Sequence, residues 1–139
     1  MFSQKGIPIF YYGTEHQFTG FANNNTFPLW TTWLNKTELY NFTATILQAR
    51  TQTQWYKEPI EERWCDILFY AYTRGKALFV FSVDYNADQG RSLKQHPYQI
   101  GDVLSDILDP TWTIKVLDDG SLPIVTFGGR PRIFIPVAS

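Results

Sequence analysis

The sequence predicts an α+β chain in two unequal parts, a single βα unit over residues 1–53 and an antiparallel β-sandwich-like domain over residues 54–139. Three observations carry that prediction. Ile7, Pro8, Ile9, Phe10, Tyr11 and Tyr12 form an unbroken apolar run between Gly6 and Gly13, the pattern of a strand covered on both faces. A helical spacing of apolar residues follows a capping signature at Asn35. Beyond Gln54, apolar and β-branched runs alternate with glycine-containing turns.

Within the first part, Pro8 sits near the strand's start, where a missing amide donor is tolerated. Residues 14–33 are rich in Asn, Thr, Gly and aromatics with no period, and read as a long loop of the kind that usually binds or covers a ligand. Asn35 caps and Glu38 reaches back, predicting a helix over residues 36–50. Leu39, Phe42, Ile46 and Ala49 fall on its inner face, with Asn41, Ala44 and Gln48 opposite.

In the second part, residues 67–73 and 77–83 flank Arg74, Gly75 and Lys76 as a glycine-turn hairpin. Residues 112–117 read as a strand entering a second hairpin turn at Asp118, Asp119, Gly120 and Ser121, with residues 122–127 as its partner. Gly128 and Gly129 end that run before a last strand over residues 133–136, so five to seven strands are expected. The domain boundary falls within residues 50–55.

An apolar fraction of 44% in 139 residues suffices for a packed core, and disorder is excluded. Net charge is −1 with the basic residues scattered, so neither nucleic acid nor an anionic membrane is an expected partner. No apolar stretch reaches the length of a membrane span, and the opening residues lack the layout of a signal peptide. Three N-glycosylation triplets begin at Asn24, Asn35 and Asn41; they point to a secreted parent, with chance in a Thr-rich stretch as the competing explanation. Cys65 is the single cysteine and reads as a buried small apolar side chain beside Ile67.

The stretch Gly6-Ile7-Pro8-Ile9-Phe10-Tyr11-Tyr12-Gly13-Thr14-Glu15, with the later run from Ser121 through Gly128-Gly129 to Pro136, resembles the C-terminal part of the alpha-amylase family of glycoside hydrolases, fungal-type members above all. The resemblance covers most of the chain in the family's order. It implies that residues 1–53 are the eighth strand, loop and helix of a (β/α)8 TIM barrel, and that residues 54–139 are the attached β-domain. A complete barrel takes about 250 residues. The chain is therefore expected to be the trailing, truncated part of a secreted enzyme hydrolysing α-1,4-glucosidic bonds in starch or glycogen. The alternative is a non-catalytic carbohydrate-binding or structural β-module.

Retaining glycoside hydrolysis needs two carboxylates about 5 Å apart. The resemblance places the family's nucleophile, acid/base and stabilising carboxylate upstream of Gly6, so no catalytic residue is expected in this chain, and by itself it should be inactive. The family's Asn-His-Asp motif is absent. Calcium is implied for a full-length parent, with ligands upstream; no cofactor or metal site is expected here, because His16 and His96 lack spaced partners. The chain's own acids, including Glu61, Glu62, Asp102, Asp106, Asp109, Asp118 and Asp119, read as solvated faces or turn formers.

Candidate substrate-binding residues are Glu15, His16, Asn23 and Trp30. Glu15 and His16 follow a strand's C-terminal end, where barrel enzymes gather their active-site groups. The resemblance gives Glu15 a supporting role under the sugar cleft. It also marks a departure: the family's Asp and Arg in the following loop align with Ala22 and Thr26. Asn23, Asn24 and Asn25 offer amides instead, with turn and glycan roles in competition. The five tryptophans invite sugar stacking, with core packing the expected use for most. Expected partners are an alpha-glucan and either the remainder of the barrel or a second copy meeting the exposed strand.

Overall fold

The computed structural model describes residues 2–11, 13–16 and 37–137, which form one α-helix and eight β-strands. The helix α1 spans Glu38–Thr53. The strands are β1 Ile60–Cys65, β2 Phe69–Arg74, β3 Ala77–Ser82, β4 Gln89–Leu93, β5 Val103–Asp106, β6 Thr113–Lys115, β7 Leu122–Thr126 and β8 Arg132–Pro136. Six build one sheet in the order β1-β2-β3-β8-β5-β6, and β4 pairs with β7 in a separate ribbon. Every pairing is antiparallel.

Strand alternation divides the large sheet's side chains between two cores. Phe69, Ala71, Leu78, Val80, Leu104 and Phe134 face the ribbon and bury Leu93, Leu122 and Ile124 against it. Tyr72, Ala77, Phe79 and Ile133 point the other way, onto Ile46 and Ala49 of α1 and onto Trp55. Trp55 meets Phe79 edge-on at 5.1 Å, and Phe79 stacks on Tyr72 at 5.0 Å. With both faces covered, β3 is apolar almost without interruption. The second core thus joins residues on both sides of position 53/54.

The β2–β3 hairpin turns as expected. Arg74 pairs with Ala77 around a two-residue turn, and Gly75 takes φ +56°, the left-handed angle that a glycine-first turn needs. The second turn is different. Gly120 N–H donates to Leu117 O and Leu117 N–H to Ser121 O, yet β6 belongs to the large sheet and β7 to the ribbon. Residues 118–121 therefore form a corner at which the chain changes sheets, with β6 paired to β5 and β7 paired to β4.

Strands β1, β4 and β5 were hidden by their charge and glycine content, which brings the described total to eight, above the expected five to seven. Cys65 is exposed, because β1 is an edge strand and Ile67 lies in an exposed loop. Asp106 is buried, with Oδ2 2.7 Å from Arg132 Nη1, so it is not a solvated acid, while its Oδ1 accepts from Leu108 N at 3.0 Å in a side-chain turn at the end of β5. The helix runs from Glu38 to Thr53 and is capped by Thr37, whose Oγ1 accepts from Tyr40 N at 3.0 Å. Asn35, the expected cap, lies outside the described residues. Ile46 and Ala49 are buried on the inner face as expected, with Thr43 buried as well, whereas Phe42 is partly exposed at the margin of that face, where it borders a cavity with Ile46 and Ile133.

The expected strand over residues 7–12 also differs. Residues 7–11 pair with no strand among the described residues, and Tyr12 lies outside them. Ile7, Ile9 and Tyr11 are 90%, 84% and 73% exposed, with Phe10 half-buried against Phe2 at 5.7 Å. Without a neighbour to receive its amides and carbonyls, a lone segment has no ladder to join.

Candidate functional site

The candidate site begins where residues 7–11 end. Gly13, at φ +79°, turns the backbone into a short 3-10 helix over Thr14–His16, closed by His16 N–H donating to Gly13 O at 3.1 Å. Thr14 donates to Tyr11 O through both its amide, at 3.1 Å, and its hydroxyl, at 2.8 Å. Thr37 then staples this turn to the helix: its hydroxyl donates to Glu15 O at 2.6 Å while it caps Tyr40 N.

This places Glu15 and His16 together. Glu15 Oε1 lies 3.6 Å from His16 Nε2, and His16 is buried with its ring 6.1 Å from that of Tyr40. Glu15 also borders a cavity of about 250 Å³ shared with Phe10, Tyr40, Thr43, Ala44 and Leu47. Among the described residues, Glu15 is the single carboxylate in that lining. A carboxylate beside an imidazole can orient a hydroxyl-bearing ligand; it does not supply the two opposed carboxylates of glycoside hydrolysis. Among the described residues no group of three or more His, Cys, Asp or Glu side chains could hold a metal ion.

The remaining candidates separate. Asn23, Asn24, Trp30 and Asn35 lie outside the described residues. Asn41 stands exposed on α1, but Thr43 of its acceptor triplet is buried. His96 belongs to no metal-holding cluster among the described residues; its Nε2 lies 3.0 Å from Gly120 O and its ring stacks on Tyr98 at 5.4 Å. Of the described tryptophans, Trp55 is fully buried and Trp112 partly so, while Trp64 is exposed.

What the sequence reading missed is the fastening of this region to the sheet. Arg74 is buried with no carboxylate among its hydrogen-bond partners; Nη1 donates to Ser3 O and Gln4 O at 3.1 and 2.9 Å, Nη2 to Tyr56 O at 2.7 Å and Nε to Glu58 O at 3.1 Å. Burial and the neighbouring Arg50 charge push its pKa down from the ordinary value. Arg50 Nη1 and Trp55 Nε1 both donate to Phe2 O, at 2.8 and 3.3 Å. No signal in the sequence distinguishes Arg74 from an ordinary turn residue, because its acceptors are backbone carbonyls from distant segments.

No family model matches the chain. Alpha-amylase 2 of Schwanniomyces occidentalis is 26% identical over 144 residues, covering 96% of this chain and 28% of that protein. The alpha-amylase of Saccharomycopsis fibuligera is 26% identical over 139 residues, with 94% and 28% covered. Among solved structures, the gamma-CGTase of alkalophilic Bacillus clarkii superposes with a TM-score of 0.76 at 20% identity, over 99% of this chain and 22% of that one. The chain thus spans 28% of the length of the curated relatives it matches.

Proposed function

Starting from a chain that is similar over nearly its whole length to alpha-amylases, as a C-terminal region of an alpha-amylase-family enzyme is, we propose that it serves as that region in an enzyme hydrolysing α-1,4-glucosidic bonds of starch- or glycogen-type glucans. Residues 1–53 contribute the last βα unit of a TIM barrel, and residues 54–139 contribute the C-terminal β-domain. The catalytic carboxylates and calcium ligands belong to the rest of the enzyme, and this chain alone does not cleave starch. Glu15 supports the floor of the sugar cleft, and His16, Asn23 and Trp30 are the further residues of this chain proposed to bind substrate.

The observation that carries this reading is the apolar ribbon at Ile7, Ile9 and Tyr11, exposed while its near end is tied to the sheet by Arg74, Arg50 and Trp55. An apolar segment so fastened and yet unpaired is shaped to receive neighbouring strands. Tyr40 and Leu47 of α1, which border one cavity with Phe10, extend the same uncovered surface. Extracellular location and glycans at Asn24, Asn35 and Asn41 belong to the same proposal, drawn from the acceptor triplets.

The test is to capture the native protein from its source with an antibody against residues 112–137, then weigh it and assay it on starch. The expected species is larger than this chain by at least about 250 residues and cleaves starch with retention. A native species of about 16.2 kDa without hydrolytic activity overturns the proposal. A second reading, a non-catalytic carbohydrate-binding module, is favoured by one observation, the exposed Trp64.

A further inference from the structure

We propose that Trp64, on the edge strand β1, is the stacking platform of an α-glucan-binding site separate from the Glu15–His16 cleft, with Arg91 donating to the sugar's hydroxyls. The choice of glucan rests on the reading above, whereas the platform rests on its own geometry. Edge strands are normally guarded by charge, and β1 is: Glu61, Glu62 and Arg63 occupy its middle. An indole 36% exposed in the same strand runs against that rule. Trp55 shows what this chain does with a structural tryptophan, burying it completely.

A β-bulge aims the ring. The register passes from Glu62↔Tyr72 to Trp64↔Ala71, so Arg63 is the extra residue. The shift turns Trp64 to the sheet face that carries β4, since one residue of slip exchanges the faces. There Trp64 Nε1 donates to Asp66 Oδ2 at 2.7 Å, and Arg91 Nε donates to the same oxygen at 2.7 Å. Asp66 Oδ1 accepts from Leu68 N and Phe69 N at 2.9 and 2.8 Å. With four donors on one carboxylate, the indole is held before any ligand arrives, which lowers the ordering cost of binding.

The chemistry around the ring suits a sugar. A pyranose offers an apolar C–H face and a rim of hydroxyls, and so requires a flat apolar wall beside fixed polar groups. Trp64 supplies the wall. Arg91 lies over one side of the ring at 5.9 Å; its Nε and Nη1 are spent on Asp66, Gly90 O and Gln89 Oε1, which leaves Nη2 with no protein acceptor among the described residues. Because the platform lies on a sheet edge, a long glucan can pass across it without entering a cavity.

The experiment uses the full 139-residue chain in native gels containing soluble starch, with dextran gels as the comparison. Starch should retard the wild type and dextran should not. Trp64→Ala should bind at least about tenfold more weakly, the loss expected for truncating an aromatic anchor, and Trp64→Phe should keep most of the retardation. Peptide-resolved oxidation of the wild type by N-bromosuccinimide serves if Trp64→Ala fails to fold: maltoheptaose should protect Trp64, and cellohexaose should not. Equal retardation of Trp64→Ala and wild type, no retardation of the wild type, equal binding to dextran, or unprotected Trp64 each overturns the platform. None of these touches the parent-enzyme reading, which stands or falls on the captured native protein.

Discussion

Arg74 donates four hydrogen bonds to carbonyls of Ser3, Gln4, Tyr56 and Glu58, drawing two stretches of backbone to the end of β2. Arg74→Ala should cost about 1–3 kcal/mol through the acceptors left without donors, read by urea unfolding, and should speed hydrogen exchange at residues 2–6. Arg74→Lys should recover little, since one ammonium cannot span a planar fork's acceptors. Asp66 gives the pH dependence. Hydrogen bonds from Arg91 and then Trp64 hold its carboxyl well below the ordinary 3.8. The depressed value means that its contribution is complete above 3.8 and is lost as pH falls through the folded-state value. Asp66→Asn should therefore lower the urea midpoint at neutral pH, and its gap from the wild type should close below about pH 4.

Helix α1 carries apolar residues on two sides, and the two sides should respond differently to substitution. Ile46 is buried against the sheet, and Ile46→Ala should cost about 2–5 kcal/mol by transfer and cavity terms. Leu47 is exposed, and Leu47→Lys should change this chain's stability by no more than about 0.5 kcal/mol. Thermal unfolding of both variants checks the pair; a large loss for Leu47→Lys would mean that the outer face is covered in this chain. The helix itself was legible from its period and polar start. Its facing was legible at Ile46 and Ala49, which pack in one core with Phe79 and Ile133, but not at Phe42, which the same spacing puts on that face and the structure leaves partly exposed. Likewise β3 announced itself as an apolar run, whereas β1 and β4 did not, since Glu61, Glu62, Gly90 and Arg91 carry weak strand preference and owe their pairing to β2 and β7.

Across the whole molecule, a doubly covered sheet adjoins an uncovered apolar ribbon. In the isolated chain, that ribbon should drive concentration-dependent self-association, seen by sedimentation velocity. Replacing both Ile7 and Ile9 with Lys should leave the protein monomeric with an unchanged melting temperature, because neither side chain is packed in this chain. A monomeric wild type over the same concentrations would count against the ribbon as a docking edge.

Composition, hydrophobic period and turn chemistry by themselves determined that this chain folds, that one helix precedes a mostly antiparallel sheet, that Gly75 makes a hairpin, and that Glu15 and His16 follow a glycine turn. These are local matters, set by each residue's backbone freedom and by its neighbours a few positions away. Tertiary structure alone decided that Asp106 is buried on Arg132, that β6 and β7 part into different sheets, that Arg74 clamps the first residues, and that Trp64 keeps about a third of its surface in solvent beside Arg91. Each of these depends on partners distant in sequence, so its energy exists only once the strands are in register.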